Sequence, residues 1–183
     1  MWENCLIQDK GARCKITVDG TDFCINKQRD EPTSWYSFKF KSAAVRYELG
    51  VAIQSGFIVW ASRPFRAGRY PDITIFRLSG LKQKLLDAGE KAEADQGYRG
   101  EPNTISLPDE ASTRERLSQK SIARARHETC NKRFKTFNVL AHQFRHDVDF
   151  HEKCFYAVVV LVQLMIREGI APLFEITYTD EGN

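Results

Sequence analysis

No apolar run in this chain is long enough to cross a bilayer. The longest, Cys154 to Ile166, is interrupted by Gln163 and falls short of the roughly 20 residues a membrane span needs. It is expected to be a buried helix, and no membrane partner is expected. No two of the five cysteines, Cys5, Cys14, Cys24, Cys130 and Cys154, stand in a C-x-x-C pair, and their number is odd. That pattern disfavours a zinc ribbon or a disulfide framework and suits reduced thiols in an intracellular protein. The N-terminus, Met1-Trp2-Glu3-Asn4-Cys5, lacks the basic and apolar regions of a signal peptide. There is no internal repeat and no low-complexity segment. No H-E-x-x-H motif accompanies His142, His146 and His151, which read as ordinary helix histidines.

What is present is an ordinary globular composition. The 183 residues suit one domain, here 1–183, with a core over about residues 13–168. With 42% hydrophobic and 28% charged residues, the chain is neither disordered nor fibrous. A net charge of +3 says little about a nucleic-acid partner until its distribution is known.

In Lys15-Ile16-Thr17-Val18-Asp19-Gly20, apolar and polar residues alternate with the period of a half-buried strand. Asp19 is expected where that strand ends and turns at Gly20, with Phe23-Cys24-Ile25 as a second short run. Asp30 to Thr33 reads as a loop. Trp35 to Lys41, Val45 to Ile53 and Phe57 to Trp60 read as strands, with a turn at Ser55-Gly56. Residues 14–62 thus form an expected antiparallel meander. Pro71 suits a first helical position, so a helix is expected from Asp72 through Leu81, Leu85 and Leu86 to a stop at Gly89. Ala92 to Asp95 is a short strand, again followed by Gly97. Glu101 to Leu107 reads as irregular. A long helix carries Arg114 to Lys135, with Ile122, Phe134 and Phe137 as sparse apolar members. After a break near His146-Asp147, a second helix runs from His151 to Glu168. The tail after Pro172 reads as a short strand-like end. Strands, helix, strand and helices in this order predict a mixed α/β sheet with helices on its faces.

Asp19 and Asp95 each follow a short strand, so neighbouring strands would bring them to one sheet edge. Glu128 is the only acid among the basic residues from Arg116 to Lys135. Three such acids could hold two divalent cations, because Mg²⁺ takes few, hard oxygen ligands. Single-residue alternatives stand beside this: turn-forming Asp residues, Glu128 paired with Arg124 or Lys132, and Asp72 favouring its helix dipole. The basic residues either form a solvated face or contact a DNA backbone, the candidates being Arg124, Arg126, Lys132, Arg133 and Lys135. Arg63, Arg66 and Arg69 make a second patch.

Three blocks, Val18-Asp19-Gly20-Thr21-Asp22, Ala94-Asp95-Gln96-Gly97-Tyr98 and Ala123-Arg124-Ala125-Arg126-His127-Glu128, resemble the catalytic blocks of DDE transposases of the PIF/Harbinger kind. Pro71-Asp72 lies where that family has a further Asp. The resemblance implies an RNase H-like mixed sheet, antiparallel meander plus parallel strand, flanked by helices. It further implies metal-dependent DNA cleavage and strand transfer by a two-metal mechanism. Asp19, Asp95 and Glu128 would be the catalytic residues and metal ligands, Mg²⁺ or Mn²⁺ the cofactor, and Asp72 a supporting residue. DNA would be the partner, with a separate DNA-binding protein, in the nucleus. The family's N-terminal helix-turn-helix region is expected to be absent, since the chain begins just ahead of its first catalytic strand. The alternative is an inactive, domesticated descendant kept as a DNA- or protein-binding module.

Overall fold

The computed structural model describes residues 14–26, 29–108 and 113–170. Cys5 and the strand-like end expected after Pro172 lie outside them. Strand β1 runs Cys14–Cys24 and pairs antiparallel with β3, Ser42–Ala52, from Ile16↔Ala52 to Cys24↔Ala44. The expected strand end at Asp19 is therefore overturned, and the two short runs are one strand. Gly20 stays extended opposite Glu48, and the reason is space. A Cβ there would sit 2.5 Å from Asp72 Oδ1, so the glycine marks a close approach rather than a turn.

The outer edge of β3 pairs antiparallel with β2 (Tyr36–Ser37), β4 (Ile58–Ala61) and β5 (Phe65–Arg66). On the other side of β1, β6 (Lys91–Glu93) runs parallel to it, and β7 (Ile105–Ser106) parallel to β6. Antiparallel β1, β3 and β4 continued by parallel β6 and β7 make the mixed, RNase H-like sheet that the sequence predicts. Two local readings are corrected. Trp35 to Lys41 is not a strand: Pro32–Trp35 is a 3₁₀ turn, and after the two residues of β2 the chain turns back at Lys41, whose φ is 53°. Glu101 to Leu107 is not wholly irregular, since it contains β7. Two residues are too few for a period to register.

The helices are α1 (Asp72–Ser79), α2 (Leu81–Ala88), α3 (Arg114–Phe134), α4 (Asn138–Ala141) and α5 (Val148–Arg167). The single helix expected from Asp72 to Gly89 is broken by Gly80, whose φ of 96° favours glycine. Helix α5 starts three residues before His151, capped by the Asp147 side chain, which accepts from the Phe150 N–H at 2.7 Å. His142 and His146 lie between α4 and α5 rather than on a helix.

Helices α3 and α5 cover one sheet face, burying Phe23, Tyr47, Leu49, Phe134, Phe155 and Val159. Helices α1 and α2 cover the other, over Ile16, Val18, Phe76, Leu81, Leu85 and Tyr98. Helix α3 hid its inner face in the sequence because polar residues fill it. Lys120, Arg126 and His127 are buried there beside Ala123, Cys130 and Phe134, while Ile122 is 49% exposed. The Lys120 ammonium lies 3.1 Å from Glu93 and donates to Ser106 Oγ and the Leu107 carbonyl, tying α3 to the ends of β6 and β7. Among the described residues no helix is long and apolar enough to cross a membrane, and the four described cysteines are free thiols.

Candidate active site

Odd-numbered residues of β1 face α3. Thr17 Oγ1 meets His127 Nδ1 at 2.8 Å, and the Asn131 amide donates to Asp19 Oδ2 at 3.4 Å. Two strand residues and one helical turn advance by a similar roughly 6 Å, so strand and helix stay in step. On the other side of β1, Thr17 is level with Glu93. Two residues beyond Glu93, past the end of β6, Asp95 lines the same cleft as Asp19. Asp19 is thus mid-strand and still open to solvent on one flank. A cleft of about 340 Å³ opens there, walled by Thr17, Asp19 and Asp95 on one side and by Arg124, His127 and Glu128 on the other.

Asp95 begins a 3₁₀ turn, Gln96–Tyr98, its Oδ1 accepting from the Gly97 N–H at 2.8 Å. Buried Tyr98 anchors that turn edge-on against Phe76, ring centres 5.9 Å apart. Glu128 is exposed on α3. Its expected alternative, pairing with Arg124 or Lys132, does not occur among the described residues.

Asp72 reaches the same edge from the α1 side. Its carboxylate fills the space left by two glycines, Oδ1 2.5 Å from a Cβ position on Gly20 and Oδ2 3.2 Å from one on Gly97. Asp95 Oδ1 is 2.9 Å from that same position on Gly97. Arg46 holds Asp72 there, donating to its Oδ1 at 3.0 Å while gripping buried Asp22 with Nε at 2.6 Å and a second nitrogen at 3.1 Å. The sequence reading passed over Arg46 and Asn131. An acid matched by a cation across an antiparallel register, as Asp22 is by Arg46, was the signal for the first. For Asn131 only its place three residues after Glu128 could have served.

The field of the cleft is negative at its base. Burial, then Asp95, then Asp72 push the Asp19 carboxyl up to about 7, partly opposed by the Gly20 N–H and by Lys39. His127 is held neutral, its pKa pushed down to about 4 by burial. Whether a divalent cation fits can be judged from the donors. Mutually repelling carboxylates favour a cation, and the Asn131 Oδ1 is buried beside Asp19 with no hydrogen-bond partner. The set suits a hard metal. Among the described residues, however, no three His, Cys, Asp or Glu side chains are gathered closely enough to hold one as they stand.

The basic candidates divide. Arg124 lines the cleft with its Nε buried and unpartnered, and Lys132 is exposed. Arg133 is partly exposed. Lys135 lies over the Phe40 ring at 5.4 Å. Arg126 departs from its expected role as a DNA contact: it is 6% exposed and donates to the Ile53 and Gln54 carbonyls. It braces α3 against the end of β3. Arg66 and Arg69 are paired with Glu31.

An acid in the middle of β1, another just past the end of the parallel strand β6 and a third on a covering helix line one polar cleft of an RNase H-like α/β domain. The family model of the DDE superfamily endonucleases matches residues 18–163, from β1 to α5, and the chain belongs to that family. No curated protein and no solved structure shows a significant match to it.

Proposed function

We propose that this chain cleaves DNA phosphodiester bonds with two divalent cations, Mg²⁺ or Mn²⁺, held by Asp19, Asp95 and Glu128. The observation that carries the reading is that these three acids, from a strand, a turn and a helix, line one cleft. Such ions supply a nucleophilic water at neutral pH and neutralise charge on the leaving oxygen. Asp19 and Asp95 offer oxygens from a strand and a turn, and the exposed Glu128 carboxylate completes the set from α3. Arg124, with a buried and unpartnered Nε in the same wall, is suited to take a phosphate oxygen. Asp72 supports the site from the slot in which Arg46 holds it. No Ser, Cys or His nucleophile is needed, and His127, held neutral, braces Thr17 and hence β1 against α3.

The finer reading is that of a PIF/Harbinger-type transposase acting in the nucleus with a separate DNA-binding protein. There the 3′-hydroxyl freed by cleavage attacks target DNA. Calorimetric titration with Mn²⁺ beside Asp95→Asn tests the site: wild type should bind, and the variant should bind far more weakly. Nicking of supercoiled plasmid in Mg²⁺, lost in Asp19→Asn and Glu128→Gln, tests cleavage. If neither protein binds Mn²⁺, the domain is a binding module and not a nuclease.

A further inference from the structure

The turn between β2 and β3 does not serve the core. Phe38 at its tip is 86% exposed, the most exposed large apolar side chain described. Its ring stands edge-on to that of Tyr36, itself 38% exposed, with centres 5.4 Å apart. An aromatic pair held this way in water costs solvation and contributes nothing to either sheet face.

Its surroundings are basic. Lys39 and Lys41 flank Phe40, and Lys135, at the end of α3, lies over the Phe40 ring at 5.4 Å and over Phe23 at 5.9 Å. Lys39 and Lys135 are close enough to disfavour each other's charge, and Lys39 is close enough to Asp19 to favour that carboxylate's charge. Neither lysine has an ion-pair partner among the described residues. Tyr36 and Lys41, at the two ends of the turn, also line a groove of about 450 Å³ with Ile25, Ser42 and Gln143. Bare aromatic faces interleaved with unpaired lysines, one of them within electrostatic reach of Asp19, match the chemistry of an unpaired nucleotide: a π-face to stack and a phosphate to neutralise.

We infer that the β2–β3 turn is a platform for single-stranded DNA. On it, an unpaired base a few nucleotides along the strand from the phosphodiester at Asp19 stacks on Phe38, which Tyr36 braces edge-on, while Lys39 and Lys135 hold the phosphates of that unpaired stretch. The inference rests on the reading of the cleft as a DNA site and adds a substrate class, duplexes with a frayed or overhanging end. A duplex partner alone would leave the exposed aromatic faces without a role, since paired bases present no free face.

The test compares a blunt hairpin DNA with one carrying a short 3′ overhang that contains 2-aminopurine, both in Ca²⁺. The overhanging probe should bind about tenfold more tightly, and the 2-aminopurine fluorescence should be quenched on binding. Phe38→Ala should abolish both effects, and Phe38→Trp should retain them. Lys39→Ala should weaken the overhanging probe more than the blunt one and lower its salt slope by about one. Equal binding of the two probes without quenching overturns the platform and leaves the DNA reading intact. So does a Phe38→Ala protein that keeps preference and quenching. Failure to bind either probe at low salt overturns both readings.

Discussion

Asp19 is a carboxylate placed where burial and two neighbouring acids oppose its charge, and that placement has a measurable signature. Its pKa in the fold, pushed up to about 7, lies well above its ordinary value of 3.8. The unfolded chain therefore releases its proton first, and ionising Asp19 within the fold lowers stability as pH rises from about 4 to 7. Asp19→Asn should raise the melting temperature of the metal-free protein at pH 8, while abolishing the further rise that Mn²⁺ gives wild type. Glu48 shows the same sign without belonging to the cleft. Burial pushes it up to about 8 against donors from Ser79 and Trp60, and its Oε2 has no partner. Melting temperature should fall between pH 5 and 8, and the part of that fall due to Glu48 should vanish in Glu48→Gln. A scan in which the variant follows wild type would reject the assignment. Gly20→Ala should displace Asp72 from Arg46 and weaken Mn²⁺ binding in calorimetry, although Asp19, Asp95 and Glu128 are untouched.

At the scale of elements, α3 is joined to the sheet by polar groups rather than by an apolar stripe. Glu93 and Lys120 are each 2% exposed. Removing one partner from a buried pair strands a charge, so Lys120→Met should cost about 3–5 kcal/mol in urea unfolding. Adding Glu93→Leu should recover most of that loss. A full additive loss in the double variant would mean that packing rather than charge governs the contact. The pair also fixes where α3 lies along β6, and hence how far Glu128 stands from Asp95. Helix α5 is the apolar counterpart. Phe155 is fully buried, its ring 3.7 Å from that of Tyr47 between their centres. Phe155→Ala should cost about 3–5 kcal/mol by equilibrium unfolding.

At the scale of the molecule, the fold brings to one edge carboxylates whose mutual repulsion nothing else in the sheet requires. Their cost falls on stability, is partly offset by Arg46, the Gly20 N–H and Lys39, and is relieved further when a cation binds. Thermal stability of the whole chain should therefore rise with Mn²⁺ concentration, by about 2.7 kcal/mol at a hundred times its dissociation constant. No such rise is expected once Asp19 and Asp95 are both Asn.

The sequence by itself determined the mixed sheet in outline and marked out three acids as candidates. Alternation in Ile16 to Val18 and Val45 to Ile53, the Pro71 helix start and the apolar period of α5 are local facts, because strand and helix periods are written in consecutive residues. So were Asp19, Asp95 and Glu128, whose neighbouring glycines and lone acid marked them out. What tertiary structure decided was everything that depends on which residues meet at long range. Gly20 looked like a turn, and it is a strand position emptied for Asp72. Arg126 and Lys120 looked like part of a solvated or DNA-contacting basic face, and they are buried, because their partners are the carbonyls of Ile53 and Gln54 and the carboxylate of Glu93. A charge is read from sequence as exposed by default. Only the fold supplies the counter-charge that makes burial affordable.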